Sequence, residues 1–169
     1  FAAGSGITPL LSIIKTTLAA EPQSGFTLVY GNRASAAVIF REELAELKDI
    51  YRERLNIVYV MSREQQDIEL FNGRITREKC DQLFKQWVDL KSVDTAFICG
   101  PEGMMHEVSD ALQAHGMAKA NIKLELFAAS IPKKQPHQQQ RPVVGRQECE
   151  VTLIIDGSHA SFTMEKEKE

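Results

Sequence analysis

The chain has 169 residues, of which 43% are hydrophobic and 25% are charged, and its formal net charge is -3. This composition suits one globular domain with some additional chain, and it argues against broad nucleic-acid binding, which needs a clustered basic surface. The three cysteines lie far apart without metal-ligand spacing, and no run of about 18 apolar residues predicts a membrane span. We therefore expect a soluble cytoplasmic protein with free thiols, without a metal site, and with neither a nucleic acid nor a membrane as partner.

The first half of the chain predicts alternating helices and strands. After the glycine-rich opening FAAGSGITPL, a helix is predicted over residues 8–20 with Thr8 as its cap. We expect the strand that feeds this glycine turn to be missing. FTLVYGN predicts a buried strand over Phe26–Tyr30, helical spacing recurs between Phe40 and Tyr51, and NIVYVMS predicts the next strand.

The second half continues the alternation. A stripe of apolar residues predicts a core-facing helix: Cys80, Leu83, Phe84, Trp87 and Leu90. TAFICGPEG predicts a strand that runs into a turn, the next helix ends before Gly116, and IKLELF closes the series. This order predicts an α/β fold, a doubly wound parallel five-stranded sheet with helices on both faces.

The composition changes near the end of the chain. Residues 128–147 are rich in Gln and Pro and predict a linker. Beyond them, CEVTLIIDGSHASFTM alternates around Asp156-Gly157 and predicts a β-hairpin. Because a hairpin alone is not stable, we expect residues 148–169 to begin a second domain that is cut short, after a first domain over residues 1–127.

Glycine-rich or polar stretches follow the predicted strands at the edge where such sheets bind ligands. In the opening turn, Gly4 and Gly6 allow backbone N–H groups to approach a pyrophosphate, and the following helix adds a favourable dipole. Pro9 replaces the third glycine of the dinucleotide fingerprint, and the next strand ends without the expected acid. The turn is therefore either a phosphate site or ordinary strand–helix structure.

Two further stretches carry candidate ligand contacts. Ser62 and Arg63 offer a hydroxyl donor and a planar guanidinium suited to a ribose 2′-phosphate, or they belong to a solvated loop. Gly100 permits close backbone approach and Pro101 starts a helix. Cys99 would then face the ligand crevice, although strand-terminal cysteines are usually small buried hydrophobes.

The last strand ends in Glu125-Leu126-Phe127. A carboxylate and an aromatic ring there would serve proton transfer and ring stacking. The alternative is a surface acid beside a core phenylalanine.

Together these stretches resemble the pyridine-nucleotide domain of the ferredoxin–NADP reductase family: Gly4–Pro9, Tyr30–Arg33, Ser62–Gln65, Cys99–Met104 and Glu125–Phe127. The resemblance covers about residues 1–127. The trailing VTLIIDG is similar to the opening strands of a plant-type [2Fe–2S] ferredoxin, a β-grasp domain. A reductase followed by a ferredoxin is the order of the oxygenase reductases.

The resemblance implies an NAD(P)H-dependent oxidoreductase. It would pass electrons from NADPH through FAD and a [2Fe–2S] cluster to an oxygenase partner, in the degradation of an aromatic compound such as phenylacetate. The turn Gly4–Pro9 would hold the pyrophosphate, with Thr8 near the nicotinamide ribose. Ser62 and Arg63 would bind the 2′-phosphate, which implies NADPH.

The resemblance also assigns the remaining site residues. Cys99 and Glu125 would take part in catalysis, and Phe127 would cover the flavin ring. From their chemistry and loop positions alone, Arg33 and Arg74 are further candidate phosphate partners. The candidate cofactor-binding set is completed by three residues: Asn32, Gly100 and Pro101.

The departures from the family pattern also carry information. The Arg-x-Tyr-Ser/Thr motif of the flavin barrel is absent, and no C-x4-C-x2-C pattern follows Phe162. We therefore expect a fragment that is inactive alone and binds neither flavin firmly nor an iron–sulfur cluster. The alternatives are an NADH-dependent reductase of another oxygenase and a nucleotide-binding module without catalysis; a flavodoxin-like domain is disfavoured because its clustered acids are absent.

Overall fold

The structure, a computed structural model, describes residues 1–125, 148–155 and 158–165. Contacts divide the chain into two units, Phe1–Ser130 and Ile131–Glu169, and each is described by itself. The predicted linker and the candidate residue Phe127 lie outside the described residues.

The first unit is a parallel sheet covered by helices. Its strands are β1 (Ala2–Ala3), β2 (Phe26–Asn32), β3 (Leu55–Met61), β4 (Ala96–Cys99) and β5 (Ile122–Glu125). Its helices are α1 (Ile7–Ala20), α2 (Arg41–Ile50), α3 (Arg77–Gln86) and α4 (Glu102–Ala114). The strand order is β3-β2-β1-β4-β5, with every pair parallel. The predicted α/β fold with a doubly wound five-stranded sheet is confirmed.

The central strand β1 is short but present, so the expectation that it is missing is wrong. Ala2 pairs with Tyr30 of β2 on one side and with Cys99 of β4 on the other. The chain thus continues to opposite sides of β1, and the strand order reverses there. In open α/β sheets, ligands bind beyond the carboxyl ends of the strands at such a reversal.

The core has one layer on each face of the sheet. Helices α1 and α2 cover one face, where Ile7, Leu18 and Leu44 pack with Leu28 and Tyr30 of β2. Helices α3 and α4 cover the other face through a second set of buried residues that includes Cys80, Leu83, Val108, Leu112, Val29, Val60 and Ile98. Successive residues of β2 alternate between the two layers, as expected for a strand buried on both faces.

The helix predicted to carry Trp87 and Leu90 ends earlier than expected. Helix α3 stops at Gln86, and Trp87 is 41% exposed, with its ring edge-on to Phe71 at 5.1 Å between centroids. The assignment of Trp87 to the core is therefore wrong, because the chain leaves the helical path before this residue.

The second unit is described as two antiparallel strands, β6 (Glu148–Ile155) and β7 (Ser158–Glu165). Their register runs from Glu148 opposite Glu165 to Ile155 opposite Ser158, so the predicted hairpin pairing is confirmed. The assignment of these strands to a ferredoxin domain stays a prediction. Among the described helices, none has the length and apolar character that a membrane crossing requires.

Buried Cys80 predicts a pH-dependent stability. Burial raises the pKa of its thiol from 9.0 to about 12. As the pH rises, the thiol loses its proton in the unfolded chain before it does so in the folded chain. The contribution of the buried neutral thiol to the free energy of unfolding is therefore complete below pH 9 and is lost as the pH rises towards 12. When the pH is raised from about 7 to about 10, the titration of Cys80 should lower the free energy of unfolding by about 1.4 kcal/mol. In urea unfolding at several pH values, the free energy of unfolding should fall less steeply with pH in Cys80→Ala than in the original chain. Identical slopes in the two proteins would contradict this prediction.

Candidate functional site

The glycine turn leaves the start of α1 open. Gly4 has a φ of 53°, the left-handed region that glycine adopts without steric cost. Helix α1 begins at Ile7 with Gly6 as its N-cap and without a side-chain cap hydrogen bond. The prediction that Thr8 caps this helix is wrong, because the helix starts one residue earlier and Thr8 lies exposed in its first turn. The Ile7 N–H donates to the Gly4 and Ser5 carbonyls and Pro9 has no N–H, but the first turn holds no acidic residue, so the positive dipole end of the helix favours an anion.

Gly6 lies against the backbone of the turn that follows β4. A Cβ at Gly6 would be 2.2 Å from the carbonyl oxygen of Cys99 and 2.9 Å from the nitrogen of Gly100. A Cβ at Gly100 would be 2.7 Å from Cε of Met104 and 3.2 Å from Cβ of Ala3. The two glycine turns predicted separately are therefore in direct contact.

Two side chains at the end of β2 complete this region. The Tyr30 hydroxyl donates to the Gly4 carbonyl at 2.9 Å, and burial raises the pKa of Tyr30. Asn32 follows on the same face of the strand and is 8% exposed. In the part of the chain that the structure describes, its Nδ2 is the one buried side-chain polar atom without a hydrogen-bond partner. An unsatisfied buried donor costs about 1–3 kcal/mol, so this amide fits a ligand that accepts a hydrogen bond.

Removal of the Tyr30 hydroxyl tests whether it fixes the glycine turn. Tyr30→Phe should lower the free energy of unfolding by about 1 kcal/mol, because the Gly4 carbonyl loses its side-chain donor and keeps only the Ile7 N–H. Tyr59→Phe is the matched control, since its ring lies 6.1 Å from that of Tyr30 and its change should be within about 0.5 kcal/mol. Equal losses in the two variants, measured by urea unfolding, would contradict this role.

Exposed arginines follow the carboxyl ends of β2 and β3. The Arg63 N–H donates to the Arg33 carbonyl at 2.8 Å, so the two backbones are neighbours. The Gly73 N–H donates to the carbonyl of Met61, the last residue of β3, at 2.8 Å, which brings Arg74 to the same edge. All three arginines are exposed, and none forms an ion pair with a described residue. Unpaired guanidinium groups at one edge fit a phosphate.

Ser62 precedes Arg63 and is also exposed, and its N–H donates to the Asn32 carbonyl at 2.9 Å. The loop beyond it is held by a side chain that sequence reasoning missed. Asn72 Oδ1 accepts from the Gln66 N–H at 2.7 Å, and Asn72 Nδ2 donates to the Gln66 carbonyl at 3.0 Å. Lys79 Nζ donates to the Asn72 carbonyl at 2.7 Å. The sequence FNGR marked this loop but did not show these contacts.

The two candidate catalytic residues are direct partners across neighbouring strands. Cys99 of β4 lies opposite Glu125 of β5. Glu125 is exposed, whereas Cys99 is fully buried beside Ala2 and Ile7. Burial raises the pKa of the Cys99 thiol, and the charge of Glu125 raises it further. Of the two readings that the sequence left open for Cys99, the structure agrees with the small buried hydrophobe, since the thiol lies in the core. The catalytic roles of both residues stay predictions.

The structure thus gathers most of the candidate residues at the carboxyl edge of one sheet: Gly4, Gly6, Thr8, Pro9, Asn32, Arg33, Ser62, Arg63, Arg74, Cys99, Gly100, Pro101 and Glu125. The open start of α1, the amide of Asn32 and the free arginines fit a nucleotide that carries more than one phosphate. Within residues 1–125 and the described strands of the second unit, no group of three His, Cys, Asp or Glu side chains is placed to hold a metal ion.

Known proteins are similar to this chain in sequence. Residues 1–110 match the oxidoreductase NAD-binding domain. The chain is 50% identical over 126 residues to a 1,2-phenylacetyl-CoA epoxidase subunit from Escherichia coli (strain K12), covering 75% of this chain and 35% of that protein. It is 39% identical over 127 residues to the ferredoxin reductase component of 3-ketosteroid-9-alpha-monooxygenase from Rhodococcus rhodochrous, covering 75% and 33%. The chain therefore spans about a third of the length of these curated relatives.

A solved structure agrees with the sequence relatives. The flavohem-like FAD/NAD-binding domain of nitric oxide dioxygenase from Vibrio cholerae is 28% identical, with a TM-score of 0.60 over 75% of this chain and 48% of that one. The H286L mutant of ferredoxin–NADP+ reductase from Plasmodium falciparum is 25% identical, with a TM-score of 0.57 over 75% of this chain and 50% of that one. The resemblance to the ferredoxin–NADP reductases is thereby confirmed. The chain belongs to the oxidoreductase NAD-binding domain family.

Proposed function

We propose that this chain binds NADPH at the carboxyl edge of its sheet, as the nucleotide domain of a reductase that supplies electrons to an oxygenase. The observation that supports the proposal is that two separate groups of residues at one edge of the sheet fit anions. The first is the uncapped start of α1 beside Asn32. The second is the set of unpaired arginines beyond β2 and β3. NADPH has a pyrophosphate and a 2′-phosphate, whereas NADH has only the pyrophosphate.

Each site has named residues. The turn Gly4–Gly6 and the amide of Asn32 would hold the pyrophosphate, with Thr8 and Pro9 beside the nicotinamide ribose. At the second site, the 2′-phosphate would be bound by four residues: Ser62, Arg63, Arg33 and Arg74.

The turn after β4 would receive the nicotinamide. Bound NADPH supplies a hydride that a flavin accepts. Pro101 is exposed in this turn, so the turn offers a surface on which a planar ring would lie. Cys99 lies beneath that surface and Glu125 beside it, while Phe127 would cover the flavin.

The wider pathway is also part of this proposal. The names of the Escherichia coli and Rhodococcus relatives support an oxygenase as electron acceptor, in phenylacetate or other aromatic degradation. The Vibrio structure, whose name includes FAD, supports a flavin in the path. We assign residues 1–127 to the nucleotide domain, residues 128–147 to a linker, and residues 148–169 to the start of a [2Fe–2S] ferredoxin domain in a cytoplasmic protein.

Calorimetric titration of the chain with 2′-phospho-AMP and with AMP tests the proposed cofactor. We expect 2′-phospho-AMP to bind about tenfold more tightly or better, because each charge-assisted hydrogen bond contributes about 1.5–3 kcal/mol. Equal affinities would favour an NADH-dependent reductase. No binding of either compound would overturn the proposal and leave the glycine turn as ordinary structure.

The reaction itself is tested in the flavin-loaded reductase that carries this chain. NADPH should be oxidised with ferricyanide as the electron acceptor, and failure to oxidise it would contradict the proposed activity. Glu125→Gln should slow hydride transfer in a reductase while leaving nucleotide affinity nearly unchanged. A variant with unchanged turnover would favour a binding module without catalysis.

A further inference from the structure

Glu64 joins the two loops that carry neighbouring arginines. Its carboxylate Oε2 accepts from the backbone N–H of Ser35 at 2.7 Å, and its Oε1 accepts from the Ser35 hydroxyl. Ser35 opens the short 3₁₀ turn Ser35–Ala37 in the loop between β2 and α2. Glu64 directly follows Arg63 in the loop after β3, and Ser35 comes two residues after Arg33. The contact therefore bridges two loops that are 29 residues apart in sequence.

Both oxygens of Glu64 are used in this bridge. Neither Arg33 nor Arg63 forms an ion pair with it in the described residues. The hydroxyl and then the backbone N–H of Ser35 hold the pKa of Glu64 below its ordinary value. The carboxylate is therefore ionised at neutral pH, and its hydrogen bonds to Ser35 are charge-assisted.

A negative charge beside a phosphate site is unfavourable by itself. The Glu64 charge is consistent with such a site only if the affinity gained by fixing the two loops exceeds the affinity lost through its repulsion of the phosphate. Arginine side chains are long and flexible, and a binding site gains affinity when the backbones that carry them are already fixed. The bridge fixes the two backbones on either side of the pair.

We propose that Glu64 is a positioning residue, whose bond to Ser35 holds Arg33 and Arg63 at the spacing that binds one phosphate group. The proposal rests on the proposed function and adds a determinant of its selectivity for the 2′-phosphate. Glu64 itself does not contact the ligand in this arrangement.

The direction in which Glu64→Gln changes the ligand preference distinguishes a positioning role from a purely electrostatic effect of the Glu64 charge. Glu64→Gln has one oxygen acceptor instead of two, and its hydrogen bonds to Ser35 are no longer charge-assisted, so the preference for 2′-phospho-AMP over AMP should fall by about fivefold. Ser35→Ala removes the hydroxyl donor without changing the charge, and the preference should fall in the same direction. In the double variant the two losses should not add, because both break the same bridge. If Glu64 acted only through its charge, Glu64→Gln would raise the preference.

Glu69→Gln is the matched control. Glu69 lies in the same connection between β3 and α3 and has the same charge, but its hydrogen bond is with Asn72 Nδ2 at 3.4 Å and not with Ser35. Its substitution should leave the preference within about twofold of the original chain, and a loss equal to that of Glu64→Gln would overturn the proposal.

Hydrogen–deuterium exchange of the chain without ligand gives a second readout. In Glu64→Gln, the amide of Ser35 and its neighbours should exchange faster than in the original chain and in Glu69→Gln. Unchanged exchange overturns the bridge, and faster exchange with an unchanged ligand preference overturns the positioning role. If the original chain shows no preference for 2′-phospho-AMP, the proposed function fails and the positioning role fails with it, while the exchange rates still decide whether the bridge exists.

Discussion

Gly6→Ala should destabilise the nucleotide domain by about 3 kcal/mol or more and abolish nucleotide binding, whereas Gly103→Ala should do neither. The added methyl group at Gly6 would be 2.2 Å from the carbonyl oxygen of Cys99. This neighbour is backbone in the core of a parallel sheet, so no side-chain rotation relieves the contact. The turn after β1 or the turn after β4 must move, and both lie at the candidate site.

The control is the same glycine-to-alanine substitution at Gly103, where there is space for a methyl group. Gly103 lies in the first turn of α4, and a Cβ there meets nothing within 4 Å. Alanine is a better helix former than glycine, so Gly103→Ala should be neutral or stabilising by up to about 1 kcal/mol. Urea unfolding of both variants measures the difference. A Gly6→Ala protein as stable as the original chain would show that the two turns are not in backbone contact.

Arg63→Ala should weaken binding of 2′-phospho-AMP by about ten- to a hundredfold, with a much smaller effect on AMP. The guanidinium can form two parallel charge-assisted hydrogen bonds with a phosphate, and because Arg63 is exposed, screening by solvent should limit their combined contribution to about 1.4–2.8 kcal/mol. Arg63 is exposed and has no ion-pair partner among the described residues. Its substitution therefore removes a ligand contact without breaking a bond of the fold. Calorimetric titration with both compounds measures the change.

Arg52→Ala is the control for the loss of one positive charge. Arg52 follows α2 at the opposite edge of the sheet, where its Nε donates to the Asp49 carbonyl at 3.3 Å. Binding of both compounds should be unchanged in this variant. The preference of the original chain should also weaken as salt is added, because exposed charges are screened over about 10 Å at 0.1 M ionic strength. If Arg63→Ala and Arg52→Ala weakened binding of 2′-phospho-AMP equally, the effect would come from the overall charge of the protein and not from a phosphate site at Arg63.

The fold could be predicted from sequence because short stretches of neighbouring residues indicate its strands, helices and turns. Apolar runs such as FTLVY and turn residues such as Gly4 and Gly100 are read within a few positions. Strand β1 was expected to be missing because two residues, Ala2–Ala3, are too short to show a period. Trp87 was placed in the core because periodicity does not show where a helix ends.

The site was predictable only in part, for a related reason. Chemistry at strand ends predicted that the glycine turn and Arg63 lie at one edge of the sheet, because parallel strands bring their carboxyl ends together there. The bond between Glu64 and Ser35, the contact between Gly6 and Cys99, and the burial of the Cys99 thiol depend on residues distant in sequence. No local pattern specifies these distances.

The unpartnered amide of Asn32 has a consequence for how the domain responds to its ligand. Burial raises the pKa of Tyr30, and the Asn32 amide lies close enough to the Tyr30 hydroxyl to lower that pKa in part. No hydrogen bond of good geometry satisfies the buried Nδ2 of Asn32, so a better acceptor would add to the stability of the domain. A nucleotide oxygen that met this amide would supply that stability as well as bind. We therefore expect the melting temperature of the domain to rise with the concentration of the nucleotide, by more in the original chain than in Asn32→Ala.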